Sequence, residues 1–227
     1  TYEPTQTQDV IPVQVLTGAE IAAGNYRLLE RDPLFLTGDS IGAAVFATVG
    51  ANAQYATLTA ALAANHKYIV VKPGTYTEPG QVDITGSGIT IIGYGATFTE
   101  ANDSGECFEL SGNRIALMGV RVLGEFDGVT TGLGAAFYNE GDDNVIYRCT
   151  VENVSGFGVF NDAGQRLTVE HCRLLNVGTA DDETKYVAAG IINFGTTGTR
   201  ILNNYLTGWN QAIGLWYDCS GCVVANN

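Results

Sequence analysis

One pattern of apolar and polar positions recurs six times between residues 82 and 227. Each copy reads as an apolar residue, two variable residues, a residue that is Cys or Asn in four copies, another variable residue and an aliphatic one. The first apolar position holds Ile91, Leu117, Ile146, Val169, Ile201 and Val224. Three residues later stand Tyr94, Val120, Cys149, Cys172, Asn204 and Asn227. Two residues further on stand Ala96, Val122, Val151, Leu174 and Leu206. Aligned columns of this kind indicate a structural repeat.

Two further columns appear at fixed distances without any gap. Nine residues before the first apolar position stand the apolar residues Val82, Phe108, Phe137, Phe160, Ile192 and Leu215. Five residues before it stand Gly86, Gly112, Gly141, Gly164, Thr196 and Cys219. The copies are spaced 23 to 32 residues apart, and all of that variation falls between the last aliphatic column and the next Phe-type column. The repeat is therefore one turn of chain with insertions at a single place.

The repeat predicts an all-β protein. Its two short apolar runs have period-2 character and are joined by a glycine turn, which is typical of strands and not of helices. Only a closed coil of short parallel strands buries the apolar residues of every turn in one continuous core. Parallel crossovers are almost always right-handed. The sequence therefore predicts a right-handed single-stranded parallel β-helix, in which Asn204 and Asn227 stack at a corner and bond to neighbouring turns.

The chain before the repeat has a different character and suggests two regions. Residues 1–54 do not fit the register and are expected to form an extended or irregular segment for attachment or linkage. Residues 55–227 form the predicted β-helix domain, with a capping helix at 55–65 and the rungs at 66–227. The sequence stops at a corner position of a rung, so we expect further rungs to follow or a partner to cover this end.

The segment ATLTAALAANHKYIVVKPGTYTE, followed by ITIIGYGATF, IALMGVRV, VIYRCTV and LTVEHCRLL, resembles the pectate-lyase-like β-helix superfamily. The resemblance covers about residues 55–227 and is strongest to bacteriophage tailspikes and tail fibres. It implies a location in the tail of a virion or outside the cell. It also implies a homotrimer that contacts other virion proteins. It also implies binding, and in many relatives depolymerisation, of a host surface polysaccharide. The alternatives are a non-catalytic structural fibre and a secreted bacterial polysaccharide hydrolase or lyase.

Charge and composition narrow the choice of partners. The chain of 227 residues carries 24 acidic and 11 basic residues, for a formal net charge of −13. This excess of negative charge disfavours binding to nucleic acids and to anionic membrane surfaces, because proteins that bind them need clustered cationic side chains. No apolar run reaches the roughly 18 residues of a membrane span, so membrane insertion is not expected. Five cysteines, an odd number, argue against a disulfide framework.

The three long insertions, roughly 97–107, 123–136 and 175–191, are expected to project from one side of the coil. They contain eight acidic residues and one basic residue, Lys185. The acidic residues are Glu100, Asp103, Glu106, Glu125, Asp127, Asp181, Asp182 and Glu183. Three interpretations stay open: solvated loop tips, a carboxylate pair that cleaves glycosidic bonds, or a Ca²⁺ site. No cofactor or metal ligand is assigned beyond this candidate Ca²⁺. The predicted substrate contacts are Glu125, Asp127, Asp181, Asp182, Glu183 and Tyr186.

Three residues are the candidates for catalysis. Asp142 and Asp143 follow Gly141 and resemble the Asp pair of polygalacturonase-type hydrolases, although the Gly-His-Gly and Arg-x-Lys motifs of that family are absent. Asp-Asp is also ordinary turn chemistry. His171 stands beside Glu170 at a corner, where it is either a general base or a solvent-facing side chain.

Aromatic residues are concentrated in the last two rungs. Trp209 and Trp216 lie outside the inward columns, with Tyr205 and Tyr217 nearby. Aromatic faces stack on sugar rings, and they are also enriched at subunit contacts. Trp209 and Trp216 are therefore predicted either to bind a glycan or to contact a second subunit.

Overall fold

The structure is a computed structural model that describes residues 46–99, 105–124, 134–154, 156–175 and 189–227. These residues belong to one compact unit, Phe46–Asn227. Within the described ranges the chain forms strands in three sheets and one short helix, α1 (Leu58–Ala63). No helix in these ranges is long and apolar enough to cross a membrane.

The bounds of the strands follow the repeat. Sheet A contains β1 (Ala47–Val49), β2 (Tyr68–Val71), β5 (Thr90–Ile92), β8 (Ala116–Met118), β11 (Val145–Tyr147), β14 (Thr168–Glu170), β17 (Arg200–Leu202) and β20 (Val223–Ala225). Sheet B contains β3 (Gly74–Tyr76), β6 (Ala96–Thr99), β9 (Arg121–Leu123), β12 (Thr150–Glu152), β15 (Arg173–Leu175) and β18 (Tyr205–Thr207). Sheet C contains β4 (Val82–Asp83), β7 (Phe108–Leu110), β10 (Ala135–Asn139), β13 (Phe157–Asp162), β16 (Ala189–Phe194) and β19 (Gln211–Trp216).

From β2 onward the chain passes from sheet A to sheet B to sheet C and back to sheet A, so each turn adds one strand to every sheet. Every strand pair within the described residues is parallel. This connectivity is a parallel β-helix, and it confirms the predicted fold. The interior holds the apolar side chains of all three sheets in one cluster.

The register of sheet A agrees with the first predicted column at all six positions. Ile91 pairs with Leu117, and the same line of partners continues through to Val224. The predicted corner bonds of asparagine are also present. The side-chain oxygen of Asn204 accepts from the Cys172 N–H at 2.8 Å, and that of Asn227 accepts from the Asn204 N–H at 2.9 Å. The corner is thus held together by amide groups that join successive turns.

The first rung departs from the predicted register by two residues. Phe98, and not Ala96, pairs with Val122. Tyr94, which was expected to point inward, is 47% exposed. Gly93 lies in the interior beside Val120, where a Cβ would stand only 2.6 Å from a Val120 methyl group. This turn is therefore two residues longer than those above it, and Tyr94 lies on its outer side.

Sheet C departs from the prediction in its upper half, by one residue at Phe160 and Ile192 and by two residues at Leu215. Phe137 pairs with Val159, and the inward line continues through Ile191 and Ile213. Phe160, Ile192 and Leu215 were predicted for this column and do not occupy it. The turns that lead from β13, β16 and β19 into sheet A are longer than the turn after β10. The prediction places the inward residue of sheet C nine residues before the inward residue of sheet A, and that fixed distance fails where the turn is longer. A slip of one residue moves a side chain to the other face of the sheet.

The buried ladder of asparagines was not predicted. Asn139, Asn144, Asn161 and Asn193 have no exposed surface. Asn144 donates to the side-chain oxygen of Asn139 at 2.7 Å, Asn139 donates to Asn161 at 2.7 Å, and Asn161 donates to Asn193 at 3.0 Å. Because amides both donate and accept, each side chain bonds to the next one in the buried interior, and the ladder ends at Asn193, whose Nδ2 has no hydrogen-bond partner among the described residues.

Helix α1 covers one end of the coil and is tied to the first rung by a buried carboxylate. Thr57 caps the helix, since its hydroxyl accepts from the Ala60 N–H at 3.2 Å. Leu58 and Ala61 point into the core. Glu78, only 5% exposed, accepts from the Leu58 N–H at 2.8 Å and from the Thr59 hydroxyl at 2.7 Å. The helix is shorter than the predicted 55–65.

The predicted domain boundary at residue 54 also differs from the structure. Strand β1 precedes it and pairs with β2 in sheet A. The coil therefore begins before the helix, and the helix interrupts it. Residues 1–45 of the predicted attachment region lie outside the described residues.

Replacing Glu78→Ala is expected to lower the free energy of unfolding by about 2–4 kcal/mol, because two N–H groups at the helix start lose a charged acceptor in a buried place. Thr57→Ala is the matched control and is expected to cost about 1 kcal/mol. Urea denaturation followed by circular dichroism measures both. Equal, small losses for the two variants would contradict the role given to Glu78.

Candidate functional site

The outer face of sheet C carries one outward residue from each rung. Asp83 pairs with Glu109, Glu109 with Tyr138, Tyr138 with Phe160, and Phe160 with Ile192. Neighbouring strands lie about 4.8 Å apart. The column therefore forms a line along the coil that begins with the carboxylates of Asp83 and Glu109, continues with the rings of Tyr138 and Phe160, and ends at Ile192, which is fully buried. We call this line the outer column of sheet C.

The two carboxylates of the outer column share one hydrogen-bond donor. The side-chain nitrogen of Gln81 donates to Asp83 Oδ1 at 2.7 Å and also donates to Glu109 Oε2. Asp83 is exposed, whereas Glu109 is partly buried. Burial raises the pKa of Glu109, the bond from Gln81 opposes that rise, and the negative charges of Asp83, Glu140 and Glu106 add to it. Glu109 therefore keeps its proton to higher pH than an ordinary glutamate.

The aromatic part of the outer column packs edge to face. The rings of Tyr138 and Phe160 are 5.4 Å apart and nearly perpendicular. Phe194 continues the surface beside Phe160 at 6.5 Å, and Tyr217 stands beyond it at 4.4 Å from Phe194. Trp216, like Tyr138 and Phe160, packs against a small buried cluster that includes Ile192. Together these rings make a partly exposed aromatic surface next to the carboxylates.

The phenol of Tyr138 joins the aromatic and acidic parts. Its oxygen lies 2.9 Å from Asp162 Oδ2 and 3.2 Å from Glu140 Oε1, so its single proton can be donated to either carboxylate. Burial, together with these acidic partners, raises the pKa of Tyr138. The phenol therefore stays protonated and acts as a donor at every ordinary pH.

This arrangement has the parts needed to break a glycosidic bond. Retaining glycosidases use two carboxyl groups about 5–5.5 Å apart, and inverting ones use a separation of about 6.5–9.5 Å. Asp83 and Glu109 lie on adjacent strands and are bridged by a single nitrogen, which corresponds to the shorter distance. A carboxyl group with a raised pKa suits the proton donor, and an exposed carboxylate suits the nucleophile.

The predicted pair Asp142 and Asp143 lies elsewhere, in the turn that leads from β10 to β11, and both side chains have structural partners. Asp143 makes two bonds to the Arg166 guanidinium, at 2.6 and 2.9 Å. These bonds hold the pKa of Asp143 below its usual range. A carboxyl group with a lowered pKa is a poor proton donor at neutral pH.

Asp142 belongs to a ladder of polar side chains that joins successive turns. The Asn113 side-chain oxygen accepts from the Asp142 N–H at 2.8 Å. Asp142 Oδ1 in turn accepts from the Gln165 N–H at 2.9 Å, and Gln165 Oε1 accepts from the Thr197 N–H at 2.6 Å. Each side chain thus binds the backbone of the next rung, which explains why polar residues occupy this turn.

His171 is not brought near Asp142 or Asp143. It follows the last residue of β14, at the opposite end of the sheet A strands from the Asp pair. Its Nε2 is 3.4 Å from Glu170 Oε1, and its ring meets the Tyr147 ring edge-on at 5.7 Å. The structure therefore does not unite the three predicted catalytic residues in one site.

The two tryptophans have different surroundings. Trp209 donates from Nε1 to the Leu174 carbonyl oxygen at 3.0 Å and packs against the core cluster. Trp216 belongs to the aromatic surface of sheet C. Of the pair, Trp216 alone lies where a glycan on the outer column would contact it.

The remaining predicted contacts lie outside the described residues. They are Glu125, Asp127, Asp181, Asp182, Glu183 and Tyr186. Glu106, from the first insertion, is described and contributes to the raised pKa of Glu109. Among the residues that the structure describes, no group of three or more His, Cys, Asp or Glu side chains could hold a metal ion.

Asp83 and Glu109 were not recognised from the sequence, although a signal for them exists. Each stands one residue after a member of the Phe-type column, Val82 and Phe108, and strand side chains alternate between faces. Adding one to those positions gives the outward residues Asp83, Glu109 and Tyr138.

Comparison with known proteins supports the fold. No family model matches the chain, and no curated protein matches it in sequence. A solved structure described as rhamnogalacturonan lyase superimposes with a TM-score of 0.57 and 15% identity, covering 78% of this chain and 56% of that chain. A pectin methylesterase from Aspergillus niger superimposes with a TM-score of only 0.32 and 12% identity, covering 84% of this chain and 88% of that one. The likeness to the lyase structure supports the parallel β-helix fold, and the resemblance to bacteriophage tailspikes stays a prediction.

The pKa of Glu109 is expected to respond in opposite directions to two neighbouring substitutions. Glu140→Gln removes a nearby negative charge and should lower that pKa, whereas Gln81→Ala removes a donor to the carboxylate and should raise it. NMR titration of the Glu109 side-chain carboxyl carbon measures both shifts. Shifts in the same direction, or none, would show that the carboxylates do not interact as described.

Proposed function

We propose that this protein binds a polysaccharide along the outer column of sheet C and hydrolyses its glycosidic bonds. The observation that carries this proposal is the carboxyl pair Asp83 and Glu109, bridged by Gln81, at the start of a line of aromatic rings. Aromatic rings stack on sugars, and a pair of neighbouring carboxyl groups, one of which acts as the proton donor, is the usual machinery for this hydrolysis.

The proposed reaction assigns one role to each carboxyl group. Glu109 donates its proton to the glycosidic oxygen as the bond from that oxygen to the anomeric carbon breaks. The Asp83 carboxylate attacks the anomeric carbon and forms a glycosyl ester. Water then hydrolyses the ester and returns a proton to Glu109. The products are two shorter saccharides, and the anomeric configuration is retained.

The substrate is proposed to be a glycan without dense negative charge. Asp83, Glu106, Glu109, Glu140 and Asp162 all lie on this side of the molecule, and they would repel a strongly anionic chain. The insertions that carry the other predicted acidic contacts connect sheet B to sheet C in sequence. We propose that Glu125, Asp127, Asp181, Asp182, Glu183 and Tyr186 add contacts to the same glycan.

The biological setting is proposed from the sequence resemblance. It favours a tail spike or tail fibre of a bacteriophage, a homotrimer beside other virion proteins, that acts on a host surface polysaccharide. The fold shared with a rhamnogalacturonan lyase favours a second setting, a secreted bacterial enzyme acting on a plant polysaccharide. A non-catalytic fibre that only binds glycan is the third.

The test is the release of reducing ends from a panel of bacterial capsular polysaccharides that includes uncharged ones, with rhamnogalacturonan and pectin as the anionic members, on which a lower rate is expected. Glu109→Gln is expected to lower the rate on a cleaved glycan by at least about 100-fold, because the proton donor is lost. The double variant Asp142→Asn/Asp143→Asn is the control and should keep its rate within about threefold, since those side chains serve the turn.

The opposite result, with the double variant inactive and Glu109→Gln active, would move the site to the turn between sheets C and A. Binding of a glycan without cleavage by the wild-type protein would contradict the hydrolytic part and favour the fibre.

A further inference from the structure

A cavity of about 300 Å³ lies between helix α1 and the first complete turn of the coil. Leu62, Ala63 and Ile89 supply apolar surface to its lining. Lys67, Asp83 and Thr85 supply polar groups. A lining that combines aliphatic surface with a few charged and hydroxyl groups suits a ligand that has both a hydrocarbon face and hydroxyls, as a sugar ring has.

The charged groups of the cavity are available to a ligand. The Lys67 ammonium donates to the Ser87 carbonyl oxygen at 3.0 Å, which occupies one of its three N–H groups. Asp83 accepts from Gln81 through one carboxylate oxygen. No ion pair joins Lys67 to a carboxylate in the described part of the chain. A cation and an anion that do not neutralise each other can both bond to hydroxyl groups.

The cavity and the carboxyl pair share Asp83, and the fold closes the cavity on one side. Asp83 belongs to β4, which is the edge strand of sheet C within the described residues. Helix α1 packs against β1 and β4 beyond that edge. A glycan that follows the outer column from Phe160 through Tyr138 to Glu109 therefore ends against the helix.

From this geometry we infer that the cavity binds the terminal sugar of the glycan, so that hydrolysis proceeds from a chain end. This inference rests on the proposed function. Because Asp83 attacks the anomeric carbon and lines the cavity, the sugar held there is the one that becomes bound to Asp83. That sugar is at the non-reducing end, and the rest of the chain leaves over Tyr138 and Phe160.

The small volume supports this assignment. A cavity of about 300 Å³ is at the lower end of the range for ligand sites. It has room for a terminal unit, and helix α1 lines one side of it. The size of this cavity, and not the length of the aromatic surface, then determines the size of the product.

The experiment compares two tryptophan variants of neighbouring helix positions. Ala63→Trp fills the cavity, whereas Ala64→Trp adds the same bulk at an exposed position outside its lining. The first substrates are a panel of p-nitrophenyl monosaccharide glycosides. The second is a polysaccharide that the protein cleaves in the assay described above, and this polysaccharide carries a label at its reducing end. Wild type and Ala64→Trp are expected to release monosaccharide while the labelled chains shorten slowly. Ala63→Trp is expected to lower that release at least tenfold.

Two other outcomes separate the inference from the proposed function. If the polysaccharide is cleaved at internal bonds, with a rapid fall in chain length and equal rates for the two tryptophan variants, the inference fails and the proposed function stands. If nothing is cleaved, the proposed function fails. Ligand-observed NMR with methyl glycosides then tests the cavity alone, and equal binding or no binding in both variants overturns the inference.

Discussion

Every feature of this protein depends on the requirement that each turn of the coil stacks in register on the turn before it. The stacking satisfies backbone hydrogen bonds between turns and brings like side chains together, apolar ones in the core and asparagines in the buried ladder. Because strand side chains alternate, the same register fixes which residues face outward. The outer column of sheet C, with Asp83, Glu109 and Tyr138 on successive strands, is a direct result of that register.

The sequence was sufficient to predict the architecture and the sheet A register, since the apolar column from Ile91 to Val224 is regular. It was insufficient where turns change length. Tyr94 lies outside because its turn has two more residues, and Phe160 faces outward because the turn after β13 is longer. The local sequence around Asp142 looks the same for a catalytic pair and for a turn. The structure adds the contacts of this pair to Gln165 and Arg166, which favour the turn.

The two carboxyl groups of the candidate site have a less evident structural role than the carboxyl groups in the turns and at the start of the helix. Asp142 binds the backbone of the next rung and Glu78 binds the start of helix α1, whereas Asp83 and Glu109 are bridged by an amide on an open face. Burial raises the pKa of Glu109, and the negative charge of Asp83 on the adjacent strand adds to that rise. Helix α1, which caps the coil, also lines the cavity beside Asp83. The same helix therefore covers the core and forms one wall of the cavity.

The most direct measurement is a crystal structure of the Glu109→Gln variant with an oligosaccharide from the polysaccharide that the protein binds most tightly. The account predicts sugar rings over Tyr138 and Phe160, a glycosidic oxygen within hydrogen-bond distance of residue 109, and a terminal sugar in the cavity beside Lys67. An oligosaccharide bound beside Asp142 and Asp143, or at the corner that holds His171, would contradict it.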